Sequence, residues 1–209
     1  MLPYIVVLLF TVVAGALSSI RGLRALWWIL PLGLLTLFSS VRADSVGYDT
    51  SMYHGFYAKV DEDSLSNSFL AIPQEEGFVF LMFLVKQLSE DFTAFLIVIA
   101  LLTITPVLLA IRRVSSMPTF SLFLYVTLAY YPMAFNGIRQ SVAVSFLLLA
   151  ETYRKTSRII WISLSAIAAL FHISAFFFII LATTARYFSK RPLRLLLVVV
   201  LVGLASSVL

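Results

Sequence analysis

The chain has 209 residues, 61% of them apolar and only 12% charged, with a mean hydropathy of +1.02. Ordinary soluble domains are roughly half apolar and a quarter charged, so a polytopic membrane protein is expected and a self-standing soluble domain is excluded. With no cysteine and two histidines, thiol, disulfide and thiolate-metal chemistry drop out, a His-rich metal site is not expected, and the net charge of +5 speaks of membrane orientation and not of nucleic acid.

A spanning helix needs ~20 apolar residues to cross ~30 Å of hydrocarbon. Residues 3–20 form the first such run; no basic stretch precedes them, so they read as a span and not as a cleaved signal. Residues 25–41 form the second, with Trp27 and Trp28 at an interfacial position. A long polar region, 42–91, follows. Inside it, residues 78–88 are apolar but only ~17 Å long as a helix, too short to span, and read as a re-entrant or interfacial helix. Further apolar runs cover 92–111, 119–135 and 138–150, then a bent stretch 159–184, and a last run 195–209. The predicted fold is all-α, a polytopic transmembrane helical bundle forming one integral membrane domain over 1–209. No internal repeat is visible, which speaks against an inverted-repeat transporter.

Charge sets the orientation. The short loops holding Arg21 and Arg24, Arg112 and Arg113, Arg154, Lys155 and Arg158, and Arg186, Lys190, Arg191 and Arg194 are basic and belong in the cytoplasm. Residues 42–91 then form an extracytoplasmic loop region, and it holds every acidic residue except Glu151. By the same count the 159–184 stretch goes out and returns as two short helices, with Phe171-His172-Ile173-Ser174 at the outer bend. The loop Asn136-Gly137-Ile138-Arg139-Gln140 also lies outside, so three polar clusters share one face.

Each cluster has a chemical and a plain reading. Arg139 opens an apolar helix; an Arg there is a phosphate clamp or a side chain snorkelling to headgroups. Asp49 precedes Thr50-Ser51-Met52-Tyr53 and either caps a short helix or serves as a general base. His172 is either a structural residue in an apolar stretch or a proton shuttle at a helix break. Glu75 and Glu76, at the mouth of the short apolar segment, bind substrate or solvate a helix end. Tyr53 and its neighbouring tyrosines suit an interfacial aromatic belt, or stacking on sugar rings. His54 and the run Asp61-Glu62-Asp63 read as surface features.

In order, Arg42 with Val46-Gly47-Tyr48-Asp49-Thr50 and Tyr53, then Glu75-Glu76-Gly77-Phe78, then Ile138-Arg139-Gln140-Ser141 with Ala143, then Phe171-His172-Ile173-Ser174-Ala175, resemble the EpsG family of exopolysaccharide polymerases, relatives in function of the Wzy-type O-antigen polymerases. The chain departs from the family's Glu-Pro-Gly pattern by placing Glu76 where proline is expected, which makes Glu75 the equivalent glutamate. Family members are generally longer, and this chain stops within an apolar run, so a C-terminally longer protein is expected.

The resemblance implies a multi-pass protein of the bacterial inner membrane that joins undecaprenyl-pyrophosphate-linked oligosaccharide repeat units at the outer face. For such a transfer the catalytic residues expected are Arg139, holding the donor pyrophosphate together with Arg42, and Asp49 or His172, deprotonating the acceptor hydroxyl; Arg42, Tyr53, Glu75 and Gln140 are expected substrate contacts, with no metal and no cofactor. Implied partners are the lipid-linked oligosaccharide, membrane lipids, a flippase and chain-length regulators, with no nucleic acid. The leaving group is already activated as a lipid pyrophosphate, in keeping with a chain that has neither a Gly-rich phosphate loop nor a Rossmann signature. The competing readings are a flippase or transporter of lipid-linked sugars, another lipid-phosphate-dependent glycosyltransferase or ligase, and a noncatalytic scaffold.

Overall fold

The computed structural model describes residues 26–43, 45–47 and 49–188, with isolated positions between 5 and 13. The predicted spans at 195–209 and, for the most part, 3–20 lie outside the described residues. The described residues are all-helical, without strands: α1 Leu26–Ser40, α2 Thr50–Ala58, α3 Leu65–Ala71, α4 Glu76–Lys86, α5 Phe92–Val114, α6 Pro118–Thr127, α7 Tyr130–Met133, α8 Ile138–Tyr153, α9 Arg158–Phe171 and α10 Ser174–Phe188.

The central element is α5, whose 23 residues would extend ~34 Å at 1.5 Å per residue. Asp91 starts it by accepting the Thr93 N–H at 2.8 Å, and Arg112 and Arg113 sit in its last turn, where the helix dipole favours cations. Among the described residues it is the one helix both long and apolar enough to cross a membrane. α1 and α8 pack along it, and α9 packs antiparallel on α8.

The core divides along α5. Near its N-terminal half, Tyr53 and Tyr57 of α2, Phe78 and Met82 of α4, Phe95 of α5 and Ile138 and Val142 of α8 bury one another. Near its C-terminal half, Leu35 of α1, Ile104 and Leu108 of α5, Leu122 of α6 and Tyr131 of α7 do the same. The short apolar segment predicted at 78–88 is α4; Phe78, Val79, Met82 and Val85 form its buried stripe at helical spacing, while Phe80 and Leu84 stay open. Its 11 residues match the predicted length.

Two segments test the sequence reading of the apolar runs. The bend predicted within 159–184 is present, with α9 ending at Phe171, His172 extended at φ −159°, and α10 starting at Ser174. The run 119–135, expected as one helix, is instead broken: α6 stops at Thr127, Ala129 turns left-handed at φ 66°, and α7 is a single turn. Pro132 supplies the reason, since it lacks an N–H and its ring clashes with the carbonyl four residues back, here Leu128.

Candidate functional site

Glu75 ends the extended loop between α3 and α4. It occupies the N-cap position of α4, yet its side chain caps nothing; its backbone carbonyl accepts from Phe78 and Val79, and its carboxylate points elsewhere. One oxygen, Oε2, accepts from Arg139 Nη1. The other, Oε1, lies 2.8 Å from His172 Nδ1 and 3.4 Å from the Ile173 N–H. Residues 64 and 97 positions away in sequence therefore meet on one carboxylate.

Gly77 makes that meeting possible. A Cβ on Gly77 would stand 2.5 Å from the Leu170 carbonyl oxygen and 2.9 Å from its carbonyl carbon, backbone atoms that cannot swing aside. Only glycine lets the start of α4 press against the end of α9, two residues before His172. Phe146 of α8 stacks on Phe171 at 6.5 Å, which steadies the same helix end.

Arg139 lies in the first turn of α8. A cation at the positive end of a helix dipole is unfavourable without an anion beside it, and Glu75 supplies one. Arg139 Nε donates to the Tyr53 hydroxyl at 3.0 Å, and Tyr53, only 2% exposed, is fixed edge-on against Phe78 at 5.3 Å. The Arg139, Glu75 and His172 side chains keep 21–23% of their surface open, so the cluster is walled but reachable.

The protonation pattern follows from the partners. The carboxylate paired with Arg139 accepts hydrogen bonds only, so the proton of His172 resides on Nδ1 and the Nε2 lone pair is left free. Nε2 has no partner among the described residues. Burial first, and the Arg139 charge second, hold the imidazole below its ordinary value of 6.5, so at neutral pH it is an uncharged base oriented by a carboxylate.

The remaining predicted residues fall around this centre unevenly. Asp49 stands at the N-cap position of α2, but its side chain makes no cap bond; one helical turn later comes Tyr53, whose N–H donates to the Asp49 carbonyl at 3.0 Å. Gln140 follows Arg139 on α8 with an exposed side chain. Arg42 does not join the cluster. Its Nη1 donates to the Ser39 carbonyl at 2.6 Å, its Nε to Thr50 Oγ1 at 3.3 Å, and its guanidinium lies over the Phe135 ring at 4.8 Å. Burial lowers it to about 10, partly offset by Tyr131.

Arg42 thus ties the loop after α1 to the turn that precedes Arg139. Gly47, at φ +91°, completes the tie, because a Cβ there would meet the Phe135 carbonyl oxygen at 2.4 Å. Both glycines belong to motifs visible in the sequence. Their spatial role was not, since nothing in a linear motif says which backbone it will touch.

No curated protein and no solved structure matches the chain. A family model does: that of the EpsG family, over residues 25–209. The match takes in Glu75, Arg139, His172 and every residue around them, and with it come a membrane setting for α5 and an exopolysaccharide-polymerase type of function. The chain belongs to the EpsG family.

Proposed function

We propose that the protein lengthens a polysaccharide by joining oligosaccharide repeat units carried on undecaprenyl pyrophosphate, at the outer face of the bacterial inner membrane. The observation that carries this reading is the Glu75 carboxylate bridging Arg139 and His172. It sets a phosphate-binding cation and an oriented base side by side, the two functions such a transfer requires.

Arg139 holds the donor's pyrophosphate and stabilises the charge that grows as the glycosidic bond breaks. His172 Nε2 takes the proton from the acceptor sugar hydroxyl as its oxygen attacks the anomeric carbon. The lipid pyrophosphate leaves from the opposite face, so the configuration inverts. Glu75 fixes the imidazole tautomer and stabilises the imidazolium that forms, the part a carboxylate plays behind a catalytic histidine. Asp49, whose side chain makes no cap bond, and the exposed Gln140 bind hydroxyls of the acceptor sugar. Arg42 positions the 42–50 loop. Much of the rate gain comes from aligning two membrane-tethered substrates. A flippase that delivers repeat units and a regulator that sets chain length fit beside such an enzyme.

The test is polymer formation in cells by Arg139→Ala, His172→Ala and Asp49→Asn of the full-length protein at matched membrane levels. Loss of the ladder is expected for Arg139→Ala (about 10²- to 10³-fold) and for His172→Ala (about 10²- to 10⁴-fold). Ladders of wild-type intensity from both would refute the reading. The orientation is tested by single cysteines introduced into this cysteine-free chain: labelling of position 49 from the outside only is expected, and labelling from the cytoplasm contradicts it.

A further inference from the structure

A guanidinium presents Nε–H and one Nη2–H as a parallel fork, so acceptors on the two prongs sit side by side. In Arg139 the Nε prong is filled by the Tyr53 hydroxyl oxygen at 3.0 Å, while Nη1 is taken by Glu75. The Nη2 prong has no acceptor among the described residues. Tyr53 is itself incomplete: its oxygen accepts from Arg139, but its own O–H has no described acceptor, although the residue is 2% exposed. A buried phenol normally finds one, and leaving it unmet costs free energy.

An anionic oxygen on the open Nη2 prong would lie next to the Tyr53 oxygen and within reach of its hydrogen. We infer that Arg139 Nη2 and the Tyr53 hydroxyl form a two-donor seat for one phosphoryl oxygen of the donor pyrophosphate. Tyr53 is then a binding residue that both steadies Arg139 and touches the leaving group, and its burial in a rigid aromatic cluster with Phe56 and Phe78 fixes where that oxygen sits. The inference rests on the reading of Arg139 as the phosphate residue and adds to it the second donor.

The test measures binding of inorganic pyrophosphate to the full-length protein in phospholipid-free detergent micelles. Tyr53→Phe keeps the ring contacts and removes the hydroxyl; it is expected to weaken binding roughly ten- to a hundredfold, the weight of a hydrogen bond to a charged group. Replacing Tyr53 by 3-fluorotyrosine then separates two roles, because fluorine makes the phenol a stronger donor and a weaker acceptor. At about pH 6, where the phenol stays protonated, tighter pyrophosphate binding supports donation to the ligand. Looser or unchanged binding, with binding still dependent on Arg139, overturns the seat and leaves the Arg139 reading standing. Binding that Arg139→Gln does not weaken overturns both. Displacement of pyrophosphate by equimolar phosphatidylglycerol overturns the assignment to the donor and gives the seat to a lipid headgroup.

Discussion

At the N-terminal end of α8, Glu75 binds Arg139 and His172; at the C-terminal end, Glu151 binds Arg154 at 3.2 Å and Trp161 Nε1 at 3.0 Å. Both clusters join a carboxylate, an arginine and a ring nitrogen, and both draw in the helices that pack on α8. The difference lies in what is left over. Arg154 is three residues from Glu151 and spends its second arm on the Ala182 carbonyl, and an indole N–H can only donate. Among the described residues, that end is a clasp with no ring nitrogen left to take up a proton. At the other end the partners come from remote parts of the chain, and among the described residues the imidazole keeps a free Nε2 and Arg139 an open prong. A polar cluster in a helical bundle becomes a site when its members retain unspent donors and acceptors.

Changing each carboxylate in turn breaks the comparison most sharply. Glu75→Gln is expected to lower polymer yield by up to about 10⁴-fold, as loss of the carboxylate behind a catalytic histidine does, whereas Glu151→Gln leaves yield at matched protein levels close to wild type. Densitometry of polymer ladders decides it, and equal losses would erase the distinction. Gly77→Ala comes next: overlap with the Leu170 backbone is expected to cost ~1–3 kcal/mol of stability and to move Glu75 off His172, so activity falls further than the thermal shift accounts for.

A smaller effect concerns pH. Because folding lowers the affinity of His172 for its proton, the contribution to stability is present above about pH 6.5 and is lost as pH falls through the lower folded value. The acid limb of the polymerisation rate should therefore have its midpoint below 6.5, and a midpoint above that value would contradict a neutral, partly buried base. Smallest of all, Trp161→Phe removes one donor from the Glu151 clasp and is expected to cost ~1–2 kcal/mol in thermal unfolding, with polymer ladders unchanged.

Much of this was legible in the chain. Apolar runs gave α5 and α8, the charge pattern marked the polar segments, and the bend at His172 followed from basic loops at both ends of one stretch. Ordered motifs named Glu75, Arg139, His172 and Tyr53, but not that Glu75 is the hub, because that depends on Gly77 meeting Leu170 from 93 residues further along. The surroundings of Arg42 were hidden for the same reason: its contacts to Ser39 and Phe135 are set by packing that no linear pattern records. The break at Ala129 did have a local signal, Pro132, whose effect a hydropathy window averages away.

The most direct measurement is chain growth by purified full-length protein from lipid-linked repeat units, comparing wild type with His172→Ala. Successive additions by wild type and a rate at least about 100-fold lower for the variant are expected if His172 is the base. Equal rates of chain growth, or single transfer without growth by the wild type, would contradict a polymerase built on the Glu75, Arg139 and His172 cluster.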